Sequence, residues 1–213
     1  LHDQSHLFFD GAHFSSWRYN NTDHRVLAKL PNTMEWNVIV KKNSKLKATR
    51  NETQMVKMLQ GKKVCLNNPP NFGTLTFLSH FKNPLRQPIL VPAKGPKGIF
   101  KGLMMEDCVA TVLPTTILAK FDKDRVKVRV IHTHKPYPNQ AFTISPKVPK
   151  KIADEVQQAL FTPAAKKPMA KLLQTYAKSG KLVKPIRNEY KIVSEVLDNS
   201  YGFGFNFDQA PGR

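Results

Sequence analysis

The chain has 213 residues, 40% of them hydrophobic, which is enough for the core of one large domain or of two small lobes. No run of about 18 apolar residues is present, so the sequence predicts no transmembrane helix, and the first residues lack a signal-peptide pattern. A net charge of +19 favours binding to anionic partners, namely nucleic acid, an anionic membrane surface or small anions. The lysines are scattered in pairs without an Arg-rich block, which favours a solvated basic surface.

The first sixty residues are predicted to form three strands and two helices. Asp10-Gly11 ends a first apolar run, and a Pro31-Asn32 turn separates two later runs that are rich in Val, Leu, Trp and Ile. The predicted elements are a strand at 7–9, a helix at 12–19, strands at 25–30 and 35–41, and a helix at 52–59 that ends at Gly61.

Residues 61–121 alternate strand and helix patterns. The predicted strands lie at 64–66, 88–93 and 109–113, and the predicted helices at 74–82, around 99–104 and at 115–121. This order predicts an open parallel sheet with right-handed crossovers and helices on both faces. Ligands of such sheets bind at the carboxyl ends of the strands, which is where two Gly- and Pro-rich turns follow strands one and two.

The first of these turns has the composition of an anion site. Pro69 and Pro70 fix the backbone, Gly73 permits close approach, and Thr74 places a hydroxyl beside the first free N–H groups of a helix. The alternative is that Asn71 or Thr74 caps an ordinary surface helix. These residues alone leave both interpretations open.

The remainder of the chain is predicted to be mainly helical. A strand at 125–131 leads into an irregular stretch at 132–140 and a further strand at 141–145. Three apolar stripes at helical spacing follow position 149, and the Gly- and Phe-rich tail at 201–213 has no period.

No enzyme or metal motif is found along the chain. His132 and His134 alternate on an extended segment, and a zinc site would need a third ligand that the sequence does not place. Serine-hydrolase, Walker and Cys-His patterns are absent, which disfavours an enzyme. His13 could meet an oxyanion or could be a packed core residue.

Three segments together resemble the periplasmic binding proteins of phosphate, phosphite and phosphonate ABC importers. They are Phe9 to Phe14, Cys65 to Leu75 and Thr133 to Pro146, in the family's order. The resemblance implies an α/β, type II periplasmic binding protein fold of two lobes with the ligand in the cleft between them. It assigns 1–38 to a first lobe that lacks its N-terminal strand-helix units and 39–133 to the second lobe. Residues 134–213 would return to the first lobe and carry the C-terminal helices.

The function implied by the resemblance is that of a solute-binding component of an ABC importer. It would capture a small oxyanion of the phosphate, phosphite or phosphonate class as a periplasmic monomer, with a membrane permease as partner and without a cofactor or catalytic residues. Family members usually carry a Ser/Thr-rich turn where this chain has Pro, Asn and Gly, and Asp107 is off register with the family's strand aspartate. The alternative is a basic nucleic-acid-binding or ligand-sensing module without a transport role.

The expected ligand residues follow from these turns and from the resemblance. They are Asp10, His13, Pro70, Asn71, Phe72, Gly73, Thr74, Lys94, Gly95, Thr133 and Tyr137. A Gly73→Val substitution is expected to abolish binding and to leave the fold largely intact.

Cys65 and Cys108 are expected to lie on neighbouring strands if the sheet has the order 2-1-3. A register offset of no more than about one residue would then bring their Cα atoms within the roughly 4.4–6.8 Å that a disulfide requires. The periplasm implied by the resemblance would let the bond persist. The competing interpretation is two buried thiols that act as small hydrophobic groups.

Overall fold

The computed structural model describes residues 5–176 and 181–198. The described residues form two compact units. Unit 1 contains 5–33, 137–176 and 181–194, and unit 2 contains 34–136 and 195–198. In these ranges no helix has both the length and the apolar character needed to cross a membrane. The aperiodic tail at 201–213 lies outside the described residues.

Strands and helices alternate along the described part of the chain. The strands are β1 (Leu7–Asp10), β2 (Arg25–Lys29), β3 (Thr33–Met34), β4 (Trp36–Lys41), β5 (Lys63–Leu66), β6 (Ile89–Pro92), β7 (Ala110–Pro114), β8 (Val128–Thr133), β9 (Tyr137–Pro138) and β10 (Ala141–Ile144). The α-helices are α1 (Ala12–Asn21), α2 (Glu52–Leu59), α3 (Phe72–Leu78), α4 (Gly95–Met104), α5 (Thr115–Phe121), α6 (Lys150–Ala159), α7 (Lys166–Tyr176) and α8 (Ser194–Asp198). Short 3-10 helices lie at Pro84–Arg86, Pro163–Ala165 and Lys191–Val193.

Unit 1 is built on a three-stranded antiparallel sheet in the order β1-β10-β2. Leu7 lies opposite Ile144 and Asp10 lies opposite Ala141, so the end of β1 is fixed by the start of β10. The core of this unit forms from the buried Leu27, Ala28, Phe142, Ile144 and Ala153, with partly buried side chains of α6 and α7 packed against them. This packing holds the turn between β1 and α1 in place.

Unit 2 contains a five-stranded mixed sheet in the order β6-β5-β7-β4-β8. β5 pairs in parallel with β6 and β7, and β4 pairs antiparallel with β7 and β8. The predicted parallel sheet of order 2-1-3 is therefore confirmed for these three consecutive strands. Because β5 and β6 are parallel neighbours, the turns that follow them reach the same edge of the sheet.

Predicted and observed boundaries differ at several elements, most clearly at α3 and β8. α3 starts at Phe72 and ends at Leu78 instead of covering 74–82, since His80 and Phe81 donate tighter bonds to carbonyls three residues earlier. β8 begins at Val128 rather than 125, because the carboxylate of Asp122 accepts the N–H groups of residues 126–128 and holds a turn there. β8 also continues through positions 132 and 133, which were expected to be irregular.

Cys65 and Cys108 form a disulfide in unit 2, with their Cα atoms 5.6 Å apart. The expected register offset of about one residue is wrong, because Cys65 lies opposite Thr111, three positions beyond Cys108. Cys108 instead lies just before β7. In the same segment, the N–H of Asp107 donates a hydrogen bond to the carbonyl of Gly102 in α4. The close approach of α4 to β5, with Gly102 beside Cys65, brings the two sulfurs together.

Candidate functional site

The two turns at the carboxyl ends of β5 and β6 form one corner in unit 2. Asn67 joins them, because its Oδ1 accepts the N–H of Gly95 at 2.7 Å. Its carbonyl oxygen accepts the Thr74 hydroxyl, also at 2.7 Å. Gly95 has φ +70°, a conformation that favours glycine, so its amide can turn toward Asn67. Lys94 is exposed at the N-cap of α4 and makes no capping bond with its side chain.

The start of α3 leaves the backbone amide of Gly73 without a partner in the described chain. Asn71 Oδ1 accepts the N–H of Thr74 at 3.2 Å, and the carbonyl of Asn71 accepts that of Leu75 at 2.9 Å. The amide and the hydroxyl of Thr74 are therefore both hydrogen-bonded to protein atoms. The amide of Gly73 has no hydrogen-bond partner among residues 5–176 and 181–198. Asn71 does cap the helix, but all seven residues of α3 are buried, so it is not a surface helix.

Trp36, which the sequence analysis did not single out, packs on this corner. Its side chain is 7% exposed, and a Cβ atom at position 73 would lie only 2.3 Å from Cζ3 of the indole. The ring of Phe72 meets it edge-on, with centroids 5.9 Å apart. The indole Nε1 is buried without a hydrogen-bond partner in the described chain. The sequence signal that could have pointed to this residue was a tryptophan near the start of the strand that follows the Pro31-Asn32 turn.

The packing of Trp36 corrects one expectation about Gly73. Because any β-carbon at position 73 would overlap the indole, valine there would displace a buried aromatic ring. The Gly73→Val variant is therefore not a clean test of ligand contact, since it perturbs the fold as well. Gly73 is required for close packing of α3 on β4.

A chain of polar side chains runs beside Trp36 across β8, β4 and α5. Thr133 Oγ1 donates to Asn37 Oδ1 at 2.7 Å, and Asn37 Nδ2 donates to Thr115 Oγ1 at 2.8 Å. The Thr115 hydroxyl donates in turn to the Glu35 carboxylate at 3.4 Å. Asn37 is only 5% exposed, and both ends of its amide are satisfied. The side chain of Thr133 is thus fixed by the protein.

The predicted residues in unit 1 have protein partners of their own. Asp10 forms an ion pair with Arg18, whose guanidinium also lies 4.1 Å from the centroid of the Phe8 ring. His13 is 4% exposed in α1 and packs against the ring of Phe14 at a centroid distance of 4.2 Å. This environment supports the interpretation of His13 as a packed core residue. Tyr137, in β9, is 3% exposed.

The structure brings the predicted residues Asn71, Phe72, Gly73, Thr74 and Gly95 together around Asn67 in unit 2. Pro70 is exposed just before them, after a cis peptide bond. In the described part of the chain, no group of three or more His, Cys, Asp or Glu has the arrangement of a metal site. The chemistry that the corner offers is hydrogen-bond donation by neutral groups, which suits an anionic acceptor.

Comparison with solved structures shows the fold. The ATP-bound protein XAC2383 of Xanthomonas citri matches with a TM-score of 0.73 at 9% identity, over 92% of this chain and 79% of that one. PhnD1 of Prochlorococcus marinus, in complex with methylphosphonate, matches with a TM-score of 0.64 at 12% identity, over 90% and 76%. A binding protein component of an ABC phosphonate transporter from Pseudomonas aeruginosa matches with a TM-score of 0.56 at 10% identity, over 94% and 72%. The expected type II periplasmic binding protein fold is confirmed.

Sequence comparison gives the family. No curated protein matches the chain. The profile of the periplasmic substrate-binding proteins of phosphonate ABC transporters matches residues 2–189. Since this match covers most of the sequence, the resemblance inferred from the three turn segments is confirmed, and the chain belongs to the family of periplasmic phosphonate-binding proteins of ABC transporters.

Proposed function

We propose that this protein captures a small phosphorus oxyanion, of the phosphonate class, and presents it to an ABC permease. Family membership supports a role in transport rather than in catalysis, and it does not favour the alternative of a nucleic-acid-binding module. Two solved relatives in fold carry phosphorus ligands, methylphosphonate in one and ATP in the other. We further propose that the protein acts in the periplasm as a monomer.

The observation that carries the proposal is the pair of unpartnered donors at the corner of unit 2. The Gly73 amide and the Trp36 indole belong to residues packed directly on each other, and neither N–H has a partner in the described chain. A buried donor without an acceptor costs about 1–3 kcal/mol, so an acceptor supplied by a ligand recovers that loss. Protein atoms already bond both ends of the Asn37 amide, Oδ1 of Asn71, and the amide and hydroxyl of Thr74.

Five other predicted residues are given roles that follow from their positions. We propose that Asn71 and Thr74 shape the turn, that Gly95 and Lys94 position the second turn, and that Thr133 orients Asn37. The neutral donors would make affinity depend only weakly on salt, unlike binding through lysines to nucleic acid. The assignments of Asp10, His13 and Tyr137 in unit 1, and of Pro70 and Phe72 in unit 2, stay predictions.

Calorimetric titration tests this function. Methylphosphonate, phosphite, phosphate, sulfate and an oligonucleotide are titrated at low and high salt. We expect saturable binding of at least one phosphorus oxyanion with weak salt dependence. Tight binding of the oligonucleotide alone, falling steeply with salt, would reject the proposal.

A matched pair of variants tests the donor. Trp36→Phe keeps an aromatic ring but removes the indole N–H, and we expect affinity for the best oxyanion to fall by roughly 10- to 150-fold, since a hydrogen bond to a charged group is worth about 1.5–3 kcal/mol. Trp17→Phe is the control, because Trp17 is 40% exposed on α1. Equal affinities of the two variants would show that the Trp36 indole is not a ligand donor.

A further inference from the structure

Three histidines from two distant segments of unit 2 meet in one buried cluster. His80 follows α3, His132 lies in β8, and His134 follows that strand. The imidazole rings of His80 and His134 stack at a centroid distance of 4.6 Å, and the ring of His132 meets that of His134 edge-on at 5.3 Å. His132 and His134 are 4% and 3% exposed. The cluster plays no part in the proposed anion site.

Hydrogen bonds fix the proton on each ring. Glu52 in α2 has a carboxylate that only accepts, so the Nδ1–H of His80 donates to it at 3.1 Å. The Nε2 of neutral His80 is then an acceptor, and the Nδ1–H of His134 donates to it at 2.7 Å. The Nδ1–H of His132 donates to the carbonyl of Thr49 at 3.0 Å. All three rings are therefore held as neutral Nδ1–H tautomers, as assigned from the network.

A further proton has no suitable place in this arrangement. Nε2 of His134 and Nε2 of His132 are buried without a partner in the described chain, so a proton on either would create a buried, unpaired positive charge. A proton on Nε2 of His80 would face the N–H of His134 and break the bond between the two rings. Protonation thus opposes the contacts that hold α2, the turn after α3 and β8 together.

We propose that His80, His132 and His134 form an acid-sensitive lock in unit 2, closed while the rings are neutral and opened when His80 and His134 take up protons. The charged side chains acting on the lock are Glu52 from α2, which favours a charged His80, and Lys135 after β8, which opposes it. The ammonium of Lys135 also bonds Glu195 at 3.2 Å. The lock does not depend on the identity of the ligand.

The pKa values of His80 and His134 determine how the stability of the folded chain changes with pH. Burial lowers the pKa of His80 more than Glu52 raises it, and burial together with the neighbouring histidines lowers the pKa of His134 well below its ordinary value. Below about pH 6.5 the unfolded chain therefore binds more protons than the folded one. Stability is complete above that pH and is lost as the pH falls toward the native pKa values. Each pKa unit of depression raises the unfolding constant by up to about tenfold.

The chain offers a natural reporter of this opening. It has two tryptophans, and Trp17→Phe leaves only Trp36, whose carbonyl accepts the N–H of His134 at 2.9 Å. We expect Trp36 fluorescence to shift to the red and to become more accessible to acrylamide as the pH falls from about 7.5 to about 4, through the ordinary titration range of histidine and below it. An unchanged spectrum over this range would overturn the proposal.

Substitutions that cannot titrate provide the decisive comparison. In the Trp17→Phe background, His80→Gln and His134→Asn place neutral amides close to the bonded ring nitrogens, and we expect the double variant to lose most of the pH response. His6→Gln is the control, because His6 is exposed in unit 1, and we expect it to keep the response. A double variant that responds as strongly as the control would refute the lock.

Nuclear magnetic resonance of the unsubstituted protein keeps the test independent of whether the variants fold. Imidazole nitrogen shifts at neutral pH should identify Nδ1–H tautomers at all three positions, and the His80 and His134 resonances should titrate below the ordinary histidine range. Normal titration of both residues, or Nε2–H tautomers at His80 and His134, would contradict the proposal directly.

Discussion

Replacing Gly73 by alanine perturbs the candidate site at its closest contact. The new methyl group would lie 2.3 Å from Cζ3 and 2.5 Å from Cε3 of Trp36. The indole would have to move by about 1.1 Å to restore a contact of 3.4 Å. Trp36 is anchored in β4 opposite Pro114, and its ring is buried, so little free space allows this movement. The substitution therefore tests whether close packing of α3 on β4 builds the site.

The expected magnitude is the difference between two opposing effects. Overpacking a buried ring costs about 1–3 kcal/mol. Removing glycine from a helix gains about 0.5–1 kcal/mol. We therefore expect Gly73→Ala to lower the free energy of unfolding by about 1 kcal/mol.

Gly98→Ala is the matched control in the same unit. Its methyl group would meet the Cβ of Ala93 at an ordinary 3.7 Å, so only the helix gain of about 0.5–1 kcal/mol remains. The two variants should thus differ by about 2 kcal/mol, or by roughly 4–8 °C in Tm for a chain of this size. Thermal melts of the two variants, followed by circular dichroism, measure this difference. Equal Tm values would refute the packing argument, and unchanged oxyanion affinity in Gly73→Ala would remove Gly73 from the site.

The remaining predictions concern the scaffold of unit 2. Reduction of the disulfide between Cys65 and Cys108, which are 43 positions apart, should destabilise the protein by about 4 kcal/mol through the restored freedom of the unfolded loop, and urea titrations with and without reductant measure this. Burial raises the pKa of Asp122, but the N–H groups of residues 126–128 outweigh it and lower that pKa. Stability from Asp122 should therefore be present above its ordinary pKa and be lost as the pH falls through the lowered one. Asp122→Asn should be less stable at neutral pH and should lack this acid-dependent loss, and an unaltered stability profile between about pH 5 and about pH 2 would contradict the assignment.

The sequence by itself determined the elements and the order of the parallel strands. Apolar runs separated by helical patterns indicated β5, β6 and β7, and the order 2-1-3 of a doubly wound sheet then placed β5 at the centre of the three. The turn residues at 67–73 and 94–98 were visible for the same reason, because proline, asparagine and glycine act on the backbone locally. The order of the turn-containing segments along the chain was also sufficient to predict the family.

Tertiary structure decided which side chains meet. Asn67 reaches Gly95 because β5 and β6 are adjacent strands, and Trp36 covers Gly73 because α3 packs against the indole. The strand register did not pair the cysteines, since Cys108 lies before β7 in a segment shaped by α4.

The histidine cluster shows most clearly that contacts between distant segments are decided by the tertiary structure. His132 and His134 are two positions apart, so an extended segment places both side chains on the same face, and in the structure their rings meet edge-on at a centroid distance of 5.3 Å. Their partner His80 comes from a turn 54 positions away, and Glu52 comes from another helix. Local patterns fix backbone conformation, whereas burial, tautomer and proton affinity depend on neighbours that only the folded chain supplies.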